Sequence, residues 1–132
     1  MRQVQDKFIQ KQTLQTAGLA VVEFADAPQI DDVRAFGAPA VLKKRHHSYD
    51  GKGNADVGSA GDIDRAWKQL DGDKNPLYIE RRCAFTRELA VIVTRSTDGR
   101  TARYPVVETI NRNHICHTVV CPADVPAPIA DA

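Results

Sequence analysis

The sequence predicts an α+β fold in which an antiparallel sheet predominates and helices flank it. Helical and extended patterns alternate as far as Glu80, and the chain beyond it carries mainly extended patterns separated by turns. A doubly wound parallel sheet would instead show strands and helices alternating throughout the chain. The Asp98-Gly99 pair lies between two β-rich runs and is typical of a hairpin, which joins antiparallel strands.

The N-terminal part predicts a helix, a strand and a second helix. Gln5 to Ala17 carries apolar side chains at helical spacing and precedes Gly18, a residue that commonly ends helices. Leu19 to Phe24 follows as a short apolar strand. Ile30 to Phe36 is expected to be helical, because acidic residues near its start favour the positive end of a helix.

A strand, a glycine-containing loop and another strand come next. Ala40 to Lys43 predicts the first strand and Asn54 to Val57 the second, and the loop between them contains Ser48-Tyr49-Asp50-Gly51-Lys52-Gly53. Glycines let backbone N–H groups approach phosphate oxygens closely, and a lysine adds positive charge. The loop therefore predicts a phosphate site, with an ordinary hairpin turn as the alternative.

A further helix and strand complete the first part of the chain. Ser59 to Asp62 offers helix-capping groups, and an apolar stripe at helical spacing follows it, with Trp67 expected in the core. After a turn, Leu77 to Glu80 alternates in the manner of a half-buried strand.

The rest of the chain predicts a β-meander. Glu88 to Arg95 is the strongest β signal, Thr101 to Glu108 pairs with it through the Asp-Gly turn, and His114 to Val120 is the last strand. The segment from Pro122 to Ala132 is rich in proline and alanine, so we expect no defined structure there.

Composition limits the classes of function. The chain has 132 residues, 42% of them hydrophobic, and its 18 basic and 17 acidic residues give a formal charge of +1. No general positive field favours nucleic acid or an anionic membrane, and no segment has a signal-peptide or membrane-spanning pattern. We expect a cytosolic protein with no nucleic-acid partner and no membrane partner. The cysteines lack the spacing of a disulfide framework and are expected to be reduced: Cys83, Cys116 and Cys121.

Two alternative functions have some support in the sequence. A metal site could use His114, Cys116, His117 and Cys121, although neighbouring residues on a strand point to opposite faces, which disfavours a single ion. A nucleic-acid site could use the basic run from Lys43 to His47 with Arg81, Arg82 and Arg87. No aromatic stacking platform accompanies these basic residues.

Several short motifs occur together over nearly the whole chain. They are Gln5-Asp6-Lys7 with Gln10-Lys11, Pro39-Ala40-Val41-Leu42-Lys43, Tyr49-Asp50-Gly51-Lys52-Gly53-Asn54, Tyr78-Ile79-Glu80, Phe85-Thr86-Arg87-Glu88-Leu89-Ala90-Val91, Tyr104-Pro105-Val106-Val107-Glu108-Thr109-Ile110 and Asn113-His114-Ile115-Cys116-His117-Thr118. In this order the motifs resemble the ATP-grasp region of carboxyaminoimidazole ribonucleotide synthetase, a family of purine biosynthesis that in fungi is part of phosphoribosylaminoimidazole carboxylase.

The resemblance implies an ATP-grasp-type fold with two subdomains. Residues 1–83 would form the first, with the phosphate loop, and residues 84–132 the start of the second, ending before the family's metal-binding segment. We therefore expect a fragment of a longer enzyme. The resemblance assigns no catalytic side chain and no metal ligand to this chain.

The resemblance also implies an ATP site. Lys7 and Lys43 would meet the phosphates, the backbone of Glu80 to Cys83 would bond the adenine edge, and Glu88 would accept from ribose hydroxyls. For both glutamates the alternative is a surface salt bridge to Arg81, Arg82 or Arg87. The residues expected at the ATP site are Lys7, Lys43, Ser48, Tyr49, Asp50, Gly51, Lys52, Gly53, Asn54, Glu80, Arg81, Arg82, Cys83, Glu88 and Asn111.

The family's reaction names the expected ligands. Bicarbonate is activated by the γ-phosphate of magnesium-bound ATP as carboxyphosphate, and the amine of aminoimidazole ribonucleotide then captures the carboxyl group. The family's magnesium ligands are missing here, and Ser48, Asn111 and Asp124 depart from its usual residues. We expect no turnover by the chain alone, and we expect self-association through unpaired strand edges. A non-catalytic nucleotide-binding or interaction module and a related ATP-grasp ligase remain the alternatives.

Overall fold

The computed structural model of the protein describes residues 2–48, 52–112 and 115–130, without the side chains of residues 2 and 3. The chain divides into two compact units, one up to Cys83 and one from Ala84. The helices are Arg2–Gln5 (α1), Lys7–Thr16 (α2), Ile30–Phe36 (α3), Ile63–Gln69 (α4) and Ala127–Ala130 (α5), with a 3₁₀ turn at Ala60–Asp62. The strands are Phe24–Asp26 (β1), Ala40–Lys44 (β2), Asn54–Val57 (β3), Leu77–Arg81 (β4), Glu88–Ala90 (β5), Val93–Arg95 (β6), Thr101–Arg103 (β7), Val107–Arg112 (β8) and Ile115–Val120 (β9).

The first unit is built on a four-stranded antiparallel sheet with the order β1-β4-β2-β3. Strand β4 lies between two neighbours, and its residues from Leu77 to Glu80 are all buried. In its register with β2, Ile79 lies opposite Leu42 and Tyr78 lies opposite Lys43. Because side chains alternate between the faces of a strand, one face of this sheet is apolar and the other also carries polar groups.

The hydrophobic core lies between the apolar face and helices α3 and α4. Leu42, Val57 and Ile79 of the sheet are fully buried in one cluster with Val33 of α3 and Trp67 of α4. The prediction that Trp67 belongs to the core is confirmed, because only 7% of it is exposed. Each aliphatic side chain buried in this way stabilises the fold by about 2 kcal/mol.

Helix α2 contacts the opposite face of the sheet through an aromatic side chain. The Phe8 ring lies 5.6 Å from the ring of Phe24 on β1 and 6.2 Å from that of Tyr78 on β4, measured between ring centroids. These contacts place the start of α2 above the face that carries the polar groups.

The second unit contains a three-stranded sheet with the order β5-β8-β9 and the separate hairpin β6–β7. The Asp98-Gly99 turn predicted from the sequence joins β6 and β7, and Gly99 adopts a positive φ of 88°. Every described residue of this unit is exposed or half-buried, and its exposed apolar side chains include Val91, Ile92 and Tyr104. The buried core residues of the described part therefore all belong to the first unit.

The predicted α+β class with antiparallel pairing is confirmed, and α3 and β3 have the predicted bounds. The strand predicted from Leu19 begins only at Phe24, because its partner β4 ends at Arg81, whose N–H bonds the carbonyl oxygen of Glu23 at 2.8 Å. The helix predicted from Gln5 is divided in two, since Asp6 caps a new helix that starts at Lys7.

Two long strands predicted in the second unit are each divided. Glu88–Ala90 pairs with β8 whereas Val93–Arg95 pairs with β7, so the predicted strand from Glu88 to Arg95 serves two different partners. The predicted strand from Thr101 is interrupted near Pro105, which has no N–H to donate. The expectation of no defined structure after Pro122 was wrong, since Ala127–Ala130 is helical.

None of the described helices has the length and apolar character needed to cross a membrane. The cytosolic location stays a prediction.

Candidate functional site

Asp6 defines the start of α2. Its Oδ1 accepts hydrogen bonds from the N–H groups of Phe8 at 2.9 Å and Ile9 at 3.2 Å, which is the pattern of a helix N-cap. Lys7 and Lys11 follow four residues apart, so both lie on the same side of the helix. The cap therefore determines where both ammonium groups meet the sheet.

Arg45 follows β2 and ties the cap of α2 to the sheet. Its Nη2 donates to Asp6 Oδ2 at 2.5 Å and its Nη1 to Asp26 Oδ1 at 3.1 Å, while the guanidinium lies 4.8 Å from the centre of the Phe8 ring. Burial alone would raise the pKa of Asp6, but hydrogen bonds from Arg45 and from the helix N–H groups lower it overall. Helix α2 is thus held by a carboxylate that stays ionised.

Lys7, Lys11, Lys43 and Glu80 come together on the polar face and are called the lysine cluster below. Lys43 Nζ donates to Glu80 Oε2 at 2.8 Å, and Lys11 Nζ lies 3.0 Å from Glu80 Oε1. The charges of Lys43 and Glu80 both shift the pKa of Lys7, so Lys7 lies within electrostatic range of both. Two ammonium groups therefore pair with one carboxylate and a third lies near it, so the cluster carries a surplus of positive charge.

Glu80 is ionised although it is only 6% exposed. Burial raises the pKa of its carboxyl group, but the hydrogen bond and charge of Lys43, followed by those of Lys11, lower the pKa overall. Tyr78 lies two residues earlier on the same face, and burial together with the Glu80 carboxylate raises the pKa of Tyr78 above its usual range. At neutral pH the site therefore contains a carboxylate and an uncharged phenol.

Lys7 lies beside the glycine loop. Its Nζ donates to Ser48 Oγ. Burial lowers the pKa of Lys7, repulsion from Lys43 lowers it further, and the Glu80 charge opposes the change. Lys7 is therefore an ammonium group whose charge the protein compensates only in part.

The glycine loop joins β2 to β3, so it closes a hairpin in addition to bordering the lysine cluster. Tyr49, Asp50 and Gly51 lie outside the described residues. A Cβ at Gly53 would overlap the side chain of Ser48, so only glycine fits this close approach. Lys52 is exposed and Asn54 begins β3.

The segment from Glu80 to Cys83 is less open than predicted. The N–H of Arg81 donates to the carbonyl of Glu23 at 2.8 Å, and that of Arg82 donates to the carbonyl of Pro39 at 3.2 Å. These two amides are therefore unavailable to an adenine edge. The Arg81 side chain contacts the Phe36 ring at 4.3 Å and pairs with Glu23, which indicates a role in packing.

Glu88 and Asn111 are neighbours in the second unit. Asn111 Nδ2 donates to Glu88 Oε2 at 2.6 Å, while Arg87 Nη2 pairs with Glu108 Oε2 at 2.5 Å. The arginine partners considered for the two glutamates were therefore wrong for Glu80, which pairs with lysines, and the described partner of Glu88 is an amide.

The two alternative functions gain little from the structure. Among residues 2–48, 52–112 and 115–130, no three His, Cys, Asp or Glu side chains form a group that could hold a metal ion, and His114 lies outside these residues. Arg45 and Arg81, which support the nucleic-acid alternative, are already paired with the carboxylates of Asp26 and Glu23.

Lys11, Asp6, Arg45 and Tyr78 were not among the residues expected at the ATP site. The spacing of four residues between Lys7 and Lys11 was a usable signal, since it places both on one side of a helix. Asp6, just before a helical pattern, was a local N-cap signal. Nothing local could reveal the contacts of Arg45 and Tyr78, because their partners lie on other elements.

Known proteins resemble the chain over nearly its whole length. A family model described as the ATP-grasp domain matches residues 7–132. Phosphoribosylaminoimidazole carboxylase of Schizosaccharomyces pombe is 45% identical over 130 residues, which are 96% of this chain and 23% of that protein. N5-carboxyaminoimidazole ribonucleotide synthase of Synechococcus elongatus is 39% identical, over 96% of this chain and 33% of that protein.

Solved structures are similar as well. The structure of carboxyaminoimidazole ribonucleotide synthase from Aspergillus clavatus complexed with ATP has a TM-score of 0.91 and 35% identity, covering 98% of this chain and 35% of that one. The same enzyme in complex with ADP and aminoimidazole ribonucleotide has a TM-score of 0.82 and 32% identity, and 34% of it is covered. This chain thus spans about a quarter to a third of the length of these relatives.

The resemblance inferred from the motifs is confirmed by similarity to the same enzymes over nearly the whole chain. The predicted ATP-grasp-type fold is confirmed by the structural matches. Because the family model covers residues 7–132, the chain belongs to the ATP-grasp family.

Proposed function

We propose that the lysine cluster binds the phosphates of ATP. We further propose that the chain supplies the ATP-binding part of an enzyme that uses ATP and bicarbonate to carboxylate aminoimidazole ribonucleotide. The observation that carries the proposal is that the Glu80 carboxylate pairs with Lys11 and Lys43 while Lys7, within range of its charge, contacts Ser48 of the glycine loop.

The electrostatics of the cluster favour a multiply charged anion. Lys7 is partly desolvated and repelled by Lys43, so a phosphate oxygen would relieve both unfavourable effects at once. Ammonium groups form strong charge-assisted hydrogen bonds with phosphate. Catalysis in the whole enzyme would then depend on positioning and charge neutralisation rather than on a nucleophilic side chain.

The adenine end of the site is proposed near Cys83, which is exposed, because the amides of Arg81 and Arg82 are occupied. Roles for the loop residues from Ser48 to Asn54 stay predictions. Roles for Glu88 and Asn111 of the second unit in ribose or nucleotide binding are likewise predictions.

Magnesium, which neutralises triphosphate oxygens when it is bound, would arrive with the nucleotide. The donors of the lysine cluster are ammonium groups, and its one carboxylate, Glu80, is paired with Lys11 and Lys43, so phosphate oxygens would supply the magnesium ligands here. The protein's own part is to supply the ammonium groups of Lys7 and Lys43.

The relatives support the choice of substrate. One solved relative is complexed with ATP and another with ADP and aminoimidazole ribonucleotide. Carboxylation is proposed from the relatives, of which this chain covers only a part, and bicarbonate as the source of the carboxyl group is proposed from the motif resemblance. Exposed apolar side chains in the second unit support the expectation of self-association, which light scattering on the purified chain would test.

Calorimetric titration of the purified chain with magnesium-ATP tests the proposal. Lys43→Met should weaken binding about 10- to 100-fold, because it removes a charge-assisted hydrogen bond. Lys68→Met is the matched control, since Lys68 is exposed on α4 and lies outside the cluster. Failure of the wild type to bind, or equal binding by Lys43→Met, would contradict the proposed function.

A further inference from the structure

We infer that Lys11 is a positioning residue that neutralises Glu80 when Lys43 turns from Glu80 to a bound phosphate. The inference rests on the proposed ATP site. It concerns the one lysine of the cluster that has no place in the expected ATP site.

The two oxygens of Glu80 have different partners. Lys43 Nζ makes a hydrogen bond of 2.8 Å to Oε2 from the neighbouring strand β2. Lys11 Nζ lies 3.0 Å from Oε1 and approaches it from helix α2, so Glu80 keeps a cation beside it when Lys43 moves away.

Burial makes one cation at Glu80 obligatory. The Glu80 side chain is 8% exposed and lies on β4, between β1 and β2. A buried carboxylate without a partner is strongly unfavourable. If Lys43 were the only cation beside Glu80, its transfer to a phosphate would leave exactly such a group, and ATP binding would have to offset that cost.

The two lysines of helix α2 have different partners. Lys7, in the first turn, donates to Ser48 beside the glycine loop, and Lys11, one turn later, reaches Glu80. The exposed fractions of the Lys11 and Lys43 side chains are similar, at 22% and 26%, so either could approach a ligand by exposure alone. Both pair with Glu80, and their positions distinguish them: Lys43 lies on β2, which leads into the glycine loop, whereas Lys11 lies one turn beyond Lys7 on α2.

A thermodynamic cycle of variants tests the inference. The affinity for magnesium-ATP is measured for the wild type, Lys11→Met, Glu80→Gln and the double variant. Lys11→Met should weaken binding about tenfold, because Lys43 is then the sole partner of a buried charge. In the double variant no carboxylate retains Lys43, so most of the lost affinity should return.

The outcomes separate the explanations. If Lys11 contacts a phosphate directly, the double variant stays as weak as Lys11→Met, which overturns the inference and leaves the proposed function intact. Equal binding by Lys11→Met and the wild type likewise overturns the inference and leaves the proposed function intact. Absence of binding by the wild type overturns both.

Two further variants guard against loss of folding. Lys11→Arg keeps the charge and should bind like the wild type, and Lys11→Gln replaces Lys11→Met in the cycle if the latter does not fold. Folding is monitored by the fluorescence of Trp67, the single tryptophan of the chain. A weakened Lys11→Arg variant that remains folded would also count against a role based on charge.

Discussion

Lys43 and Glu80 lie on neighbouring antiparallel strands, and their charged groups are 2.8 Å apart. In the register of these strands Lys43 lies opposite Tyr78. Glu80 follows Tyr78 by two residues on β4, so its side chain lies on the same face of the sheet as that of Lys43. Diagonal neighbours of this kind are within reach of a long side chain. The contact therefore follows from the strand order, and it places a cation and a buried carboxylate at the centre of the proposed site.

The pKa of Glu80 leads to a prediction about acid stability. Because the pKa is lower in the folded chain than in the unfolded chain, ionisation of Glu80 contributes stability above the unfolded value of about 4.3. This contribution is lost as the pH falls through the folded value. Glu80→Gln should therefore lose less free energy of unfolding than the wild type between about pH 5 and about pH 3.

Urea unfolding at several pH values, followed by Trp67 fluorescence, measures this difference. Glu23→Gln is the control, because Glu23 is exposed and pairs only at the surface with Arg81. It should keep the acid sensitivity of the wild type, and an equally steep decline in Glu80→Gln would contradict the prediction.

Removing Asp6 should loosen helix α2. Asp6→Ala deletes the N-cap, worth about 1 kcal/mol, and leaves Arg45 without its most buried partner, at a further cost of about 3 kcal/mol. Hydrogen exchange of the amides in Lys7–Thr16 should become faster, while exchange in α4 should change little. Asp64→Ala breaks an exposed ion pair with Arg34 and should cost less than about 1 kcal/mol. Similar exchange of α2 in both variants would refute the anchoring role of Asp6.

Gly72 should not tolerate a side chain. A Cβ at this position would overlap the indole of Trp67, and such overpacking costs about 1–3 kcal/mol. Gly72→Ala should lower the urea midpoint and shift the Trp67 emission. The matched variant Gly61→Ala meets only Ser59 Oγ at 3.7 Å and should unfold at nearly the wild-type midpoint. An unchanged midpoint for Gly72→Ala would show that the turn relaxes without cost.

Local signals were sufficient for some elements and insufficient for others. Helix α3 was predicted with its observed bounds because Asp31 and Asp32, in its first turn, are a signal that lies within the helix itself. The strand predicted at Leu19 and the long strand predicted from Glu88 had suitable composition, but a strand ends where its partner ends. Partners are a property of the tertiary structure.

The sequence alone determined the family and the residue types of the site: the motifs containing Lys7, Lys43 and Glu80 and the glycine loop were recognisable from their order. Only the tertiary structure decided what these residues contact. Lys43 and Glu80 are 37 positions apart, and they meet because β4 is inserted between β1 and β2. Helix α2, held by Asp6 and Arg45, then adds Lys11 to the same carboxylate. The sequence specifies which residues are charged and how far apart they lie along the chain, whereas the pairing of those charges depends on which strands and helices become neighbours.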